Sequence, residues 1–306
     1  MTSRPTVLIL GAGASVPYGF PLGRGLRDRV CSLPDTAEAR AIENLGYNHD
    51  ELGDFVQKLR YSGYASVDWF LEDYPEYIEV GKTAIAAALI PLENPDRLFP
   101  PGAPGGHWYE LFLNKLYSTD GAFDGSPLSI VAFNYDRSLE HYLLSVLETR
   151  LKSVDRAAEA LVCLEIVHVH GRLGNLNPLA RDGRRYLPQI SSGEIRTAAD
   201  KIIVIGEASG ETTEFQRARV LLLEAERIIF LGFGFHPRSV HRLGVFDEPG
   251  DDAHCARVLG QGTRFGVSPP AWEQIRTEVL KGAASRRGLA GWTVDDYFIE
   301  VAPLRS

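Results

Sequence analysis

Apolar residues along the 306-residue chain follow two rhythms. Short unbroken runs occur at Thr6–Leu10 (TVLIL), Leu128–Phe133 (LSIVAF), Leu164–Val169 (LEIVHV), Lys201–Ile205 (KIIVI) and Arg227–Leu231 (RIIFL). They are rich in β-branched residues and lack clean polar alternation, which suits strands covered on both faces, as in a parallel sheet. Further strands are expected at Thr263–Val267 and near Tyr297–Val301. Between the runs, Leu139, Tyr142, Leu143, Val146 and Leu147 follow the spacing of one buried helix face. Phe215–Ala225 and Ala271–Leu280 are helical by composition. Strands alternating with helices predict an α/β domain built on a mostly parallel sheet.

From about Pro34 to Asp124 the strand signal disappears. Helix-like pieces take its place at Thr36–Asn44, Asp50–Tyr61 and Ser66–Leu89. Ser66 or Asp68 is a candidate cap for the last of these, and Pro75 should break or kink it. Asn94–Gly106 is rich in Pro and Gly and is expected to be a loop. The chain thus divides into a sheet-forming unit, residues 1–33 and 125–306, and a helical insertion after the first strand, residues 34–124. A second long connection is expected over Gly171–Asp200.

Charge narrows the partners. With 40 acidic against 32 basic residues, the net charge is −8. Such a chain is poorly suited to non-specific binding of a phosphate backbone, and no direct nucleic-acid role is expected. Three cysteines, Cys31, Cys163 and Cys255, form no CxxC pair, so neither a zinc ribbon nor a disulfide framework is written here. The longest apolar stretch, Ala84–Ile90, stops at Pro91 and is far short of a membrane span. The apolar run Val7–Leu10 ends in glycines and lacks the length of a signal sequence. A cytoplasmic protein is expected.

The first strand runs straight into Gly11-Ala12-Gly13-Ala14-Ser15. Strand, GxG, then helix is the Rossmann-like arrangement that brings backbone amides against a phosphate. A tight turn with no ligand has the same local sequence. The dehydrogenase fingerprint needs a third glycine where Val16 stands, so hydride-transfer chemistry is disfavoured. Gly and Pro then alternate through Val16–Gly23, which reads as an irregular flap over a ligand.

Open parallel sheets bind ligands at the carboxyl ends of their strands. Three further strand ends carry polar or glycine-rich groups: Asn134-Tyr135-Asp136, His170-Gly171, and Gly232-Phe233-Gly234-Phe235-His236. Each has a plain alternative. Asn134 and Asp136 are good helix caps. His168 and His170 share one strand face by period two, and spacing alone does not choose between them. His236 before Pro237 also suits a turn, and Asp68-Trp69 suits a helix start with a packed aromatic.

GAGAS followed by GFP, then FNYD, VHG and GFGF in that order, resembles the SIR2-like family, most closely its bacterial branch of NAD-hydrolysing antiphage effectors. The resemblance runs from Thr6 to about Pro237 and includes a helical module after the first loop. It implies that Gly11, Ala12, Gly13 and Ser15 hold the phosphates and neighbouring ribose of NAD. It implies that Asn134 lies near the nicotinamide ribose, that Asp136 binds the carboxamide, and that His170 is the catalytic histidine. Gly232 and Phe233 match the turn at the adenosine half. Two departures stand out. The four-cysteine zinc module of sirtuin deacylases is missing, and Leu22-Gly23-Arg24 follows Pro21 where they carry Asp-Phe-Arg. Both disfavour protein deacylation and favour NAD+ cleavage to nicotinamide and ADP-ribose with water as acceptor and no metal. The main alternative is a non-catalytic module that binds NAD or ADP-ribose. By family analogy, control would come from homo-oligomerisation or from a helicase-type ATPase or Argonaute-like partner.

Overall fold

The computed structural model describes residues 4–99, 107–117, 123, 127–177, 180–204, 212–245, 259–279 and 291–300. Of the expected features, residues 100–106 of the Pro/Gly-rich loop, Cys255, and the far ends at Ile205, Leu280 and Val301 lie outside that set.

Strand β1 (Thr6–Leu10) leads through the glycine loop to helix α1 (Gly23–Cys31). Then come α2 (Ala37–Glu43), α3 (His49–Tyr61), α4 (Val67–Asp73), α5 (Ile78–Leu89) and α6 (Trp108–Lys115). The chain re-enters the sheet as β2 (Leu128–Ala132), followed by α7 (Ser138–Leu151), α8 (Val154–Val162) and β3 (Glu165–His168). After α9 (Ser192–Ala199) and α10 (Thr213–Glu224) come β4 (Arg227–Leu231), α11 (Pro237–Leu243), β5 (Leu259–Gly262), α12 (Pro269–Gln274) and α13 (Val294–Glu300).

The five strands lie in the order β3-β2-β1-β4-β5 and every pairing is parallel. β1 sits at the centre, with Leu10 beside Ala132 on one flank and Leu231 on the other. All five β1 residues are buried. Leu8 and Leu10 join one hydrophobic cluster, Val7 and Ile9 the other, as the two-residue period of a strand requires. The first cluster contains residues of α1, α5 and α7, and the second those of α10 and α11. This is the Rossmann-like α/β sandwich that unbroken apolar runs predict.

The helices between the first two strands follow local rules. α3 begins in a reciprocal cap between Asn48 and Glu51. Ser66 caps α4, and Pro75 separates α4 from α5 as expected. α5 is almost wholly buried and shares its cluster with Leu8 and Leu10, so the helices of this stretch and the sheet have a common core.

Three expected strands differ. Lys201–Val204 forms no strand: Ile202 makes a single antiparallel bridge to Gly171, and Ile203 N–H donates to the His170 carbonyl. β5 ends just before the run Thr263–Val267, whose later residues turn back on themselves, with Val267 N–H bonded to the Arg264 carbonyl. Tyr297 and Phe298 lie in a helix. Thr293 and Asp296 cap it reciprocally, which sets a helical phase that buries Val294, Tyr297 and Phe298 together.

Candidate functional site

The glycine loop leaves β1 against the end of β4. Gly11 N–H donates to the Leu231 carbonyl at 3.0 Å, and Gly13 N–H to the Gly232 carbonyl at 2.9 Å. A Cβ on Gly11 would stand 2.6 Å from the Gly232 carbonyl oxygen, and one on Gly232 would collide with the Ala14 backbone nitrogen. Gly232 also has φ +59°, a conformation that favours glycine. The two glycine motifs are therefore one structure, two backbones in direct contact, with Phe233 adjoining.

Residues 12–18 are wound into 3₁₀ turns that end at Gly19, φ +91°. The expected irregularity of Val16–Gly23 is thus confined to its second half. The reason is aromatic packing. Tyr18 is buried and stacks on Tyr109 at 3.7 Å between ring centroids, and the α6 indole Trp108 Nε1–H donates to the Ala14 carbonyl at 2.7 Å. Phe20, Pro21 and Gly23 line a pocket with Ala12, Ser15, Asp68, Asn134 and Asp136. Its volume is about 80 Å3.

Asn134 stands two residues past β2, whose pairing continues through Phe133 N–H to the Leu10 carbonyl at 2.9 Å. Its Nδ2 donates to the Gly11 carbonyl and to Ser15 Oγ, both at 3.0 Å. Its Oδ1 is buried and has no hydrogen-bond partner among the described residues. Asn134 therefore braces the glycine loop while holding an unused acceptor beside the pocket.

Asp136 is buried, and its Oδ1 accepts from the Ser138 hydroxyl and from the Ser138 N–H at 3.2 Å. Burial pushes its carboxyl above the usual range, against hydrogen bonds from Ser138 and Ser15. Much of its acceptor capacity serves the start of α7, the capping role considered for it from sequence.

The two histidines part company. β3 ends at His168, and the chain turns through Gly171, φ +70°, with Gly171 N–H on the His168 carbonyl at 3.0 Å. The expectation that both rings share one strand face fails because the strand has ended. The His168 imidazole faces α7, with Nε2 2.7 Å from Glu140 Oε1 and Nδ1 2.8 Å from the Asn134 carbonyl. His170 lies among aromatic rings, with centroids of Phe133, Phe215 and Tyr135 at 5.7, 5.8 and 6.2 Å. Its Nδ1 is buried without a hydrogen-bond partner among the described residues. Burial lowers its pKa, which favours the neutral ring.

The structure thus gathers the GAGAS loop, the Asn134 and His170 strand ends and the Gly232-Phe233 turn at one end of the sheet. It adds residues to which the sequence alone assigned no role at the site. Phe133 and Tyr135 line the pocket with Asp68 from α4. Asp68 was legible only as a helix-start residue, because its approach to the strand ends is a long-range contact: the Tyr135 hydroxyl donates to Asp68 Oδ1. His236 adopts a cap role at α11, accepting from Arg238 N–H, while its ring packs 3.5 Å from Trp69.

Fold and site together define a Rossmann-like α/β protein with a glycine loop and a small pocket at the carboxyl ends of its strands. No family model matches the chain, and no curated protein is significantly similar to it. Among the described residues, no helix is long and apolar enough to cross a membrane.

Proposed function

We propose that the chain is an NAD+ glycohydrolase that releases nicotinamide and ADP-ribose. One observation carries the reading. Two buried polar atoms without partners among the described residues, Asn134 Oδ1 and His170 Nδ1, occur at the ends of neighbouring strands beside a glycine loop. Buried polar atoms are normally satisfied, and leaving one unpaired costs on the order of 1–3 kcal/mol. Both atoms are acceptors when the imidazole is neutral with its proton on Nε2. A ligand offering hydroxyl protons, such as a ribose or an attacking water, satisfies both.

The chemistry follows. The bond between ribose C1′ and the pyridinium nitrogen breaks with its electron pair moving to nitrogen, which leaves neutral nicotinamide. Positive charge develops at C1′, and water forms the new C–O bond there. His170 accepts the water proton, a task suited to a neutral imidazole in an enclosed site. Asn134 Oδ1 orients the ribose or the water. The Gly11–Ser15 loop, braced before ligand arrives, receives the diphosphate, and the Gly232-Phe233 turn lies at the adenosine half. Asp136 supports Ser15 and α7, and its remaining acceptor capacity meets the carboxamide.

A pocket of about 80 Å3 does not hold a whole dinucleotide. Binding therefore requires the pocket to widen. The family resemblance extends the proposal to a cytoplasmic antiphage effector that depletes cellular NAD+ under control of self-association or a separate partner. Mass spectrometry of NAD+ incubated with the purified chain tests the reading: nicotinamide and ADP-ribose support it, and bound but intact NAD+ supports a binding module in its place.

A further inference from the structure

Asp68 and Glu72 stand four residues apart on α4 and so share a helix face. Both act electrostatically on His170. Glu72 is neutralised there. Arg242 of α11 grips its two carboxylate oxygens at 2.6 and 2.8 Å, and Arg238 lies 3.7 Å away. Asp68 is held by hydroxyls instead: Tyr135 donates to Oδ1, and Ser66 to Oδ2 at 2.8 Å. Both of these donors are uncharged hydroxyls. Asp68 also lines the pocket, and its Tyr135 partner lies against the His170 ring. The Trp69–His236 packing and the Glu72–Arg242 pair seat this helix against α11 and its cap.

We infer that Asp68, carried by the helical insertion, is the counter-charge for the positive charge that His170 takes up in turnover: a positioning residue set beside the site by α4. The inference rests on the glycohydrolase reading and deepens it. The groups around His170 are Phe133 and Tyr135 past β2, Phe215 of α10, Arg242 of α11, and Asp68 and Glu72 of α4. Burial disfavours the protonated ring most strongly, and Asp68 is the leading influence in the opposite direction. Arg242 adds to the disfavour, and Glu72 offsets it. When water attacks C1′ and its proton passes to His170, the imidazolium forms in an enclosed, largely aromatic setting. A carboxylate with no cationic partner among the described residues stabilises it there.

Asp68→Asn keeps the size of the side chain and removes its charge. NMR titration of His170 in the ligand-free protein should show its pKa falling by roughly 1 unit. In turnover, kcat for nicotinamide release should fall roughly tenfold with little change in KM, and the acid limb of the pH profile should move down by the same amount. Asp68→Glu should restore part of both. Asp73→Asn, which removes a charge from the same helix, should leave the His170 titration unchanged. An unaltered His170 titration in Asp68→Asn, with wild-type nicotinamide release intact, overturns this inference alone. A folded wild-type chain that releases no nicotinamide removes the glycohydrolase reading and the role of Asp68 in turnover with it.

Discussion

Asn134 Nδ2 lies 3.0 Å from Ser15 Oγ, a hydrogen bond that ties the end of β2 to the glycine loop after β1. The same nitrogen reaches the Gly11 carbonyl, so one amide fixes both ends of the loop. Asn134→Ala removes both bonds and should lower the melting temperature as well as activity. The structural part is on the order of 1–3 kcal/mol, read by chemical denaturation. Nicotinamide release should fall by at least about 10²-fold, measured in variants verified as folded.

The contact between the two glycine motifs makes a sharper contrast. Gly232→Ala forces a side chain into positive φ and against the Ala14 nitrogen, whereas a Cβ on Gly234 meets nothing within 4 Å among the described residues. Gly232→Ala should lose more than about 1 kcal/mol, or roughly 2–4 °C per kcal/mol in a domain of this order of size. Gly234→Ala should melt close to wild type. Equal melting temperatures for the two variants contradict the packing described here.

The buried His168–Glu140 pair predicts a pH dependence of stability. Burial opposes charge on His168, but Glu140 and the Asn134 carbonyl outweigh it, and the pKa rises above 6.5. Burial would raise Glu140, but His168 and Arg172 outweigh it and bring its pKa below 4.5. The histidine's contribution is complete below its unfolded pKa and is lost as pH rises through the folded one. The glutamate's is complete above its unfolded pKa and is lost as pH falls through the folded one. Both contributions are therefore complete together between about pH 4.5 and 6.5. Urea denaturation across pH should show this component in wild type and not in His168→Gln.

Glu93 lies between Arg137 and Arg184, all three buried, with bonds of 2.5–2.9 Å. Arg137 further donates to the carbonyls of Asn175, Arg184 and Arg185, which anchors the long connection after β3. Glu93→Ala leaves two guanidinium groups without their buried carboxylate and should cost about 3–5 kcal/mol, measured by guanidinium unfolding. A variant as stable as wild type contradicts the buried ion network.

Much of this architecture was legible before any coordinates. Runs such as TVLIL and RIIFL have one good solution, a strand with apolar neighbours on both faces. The break at Pro75 is equally local. The failures came where local pattern met a stronger constraint. KIIVI reads as a strand, yet Ile202 and Ile203 serve the turn that holds Gly171 and His170. The Tyr297 segment reads as β, yet the Thr293–Asp296 cap sets it as helix. The placement of Gly11, Asn134, His170 and Gly232 at strand ends was readable because each stands within two residues of an apolar run. Asp68 was not, since its approach to Tyr135 spans 67 positions. Nor does spacing reveal that Asp136 is engaged by Ser138 or that His168 turns towards α7.

The central claim is that Asn134 and His170 act together on one glycosidic bond. The most direct test is chromatographic measurement of nicotinamide released from NAD+ by wild type, Asn134→Ala, His170→Ala and the double variant, each shown to be folded. The account predicts release by wild type, a loss of about 10²-fold or more in each single variant, and a loss in the double variant well short of the product of the two. Release by the double variant at the wild-type rate contradicts it.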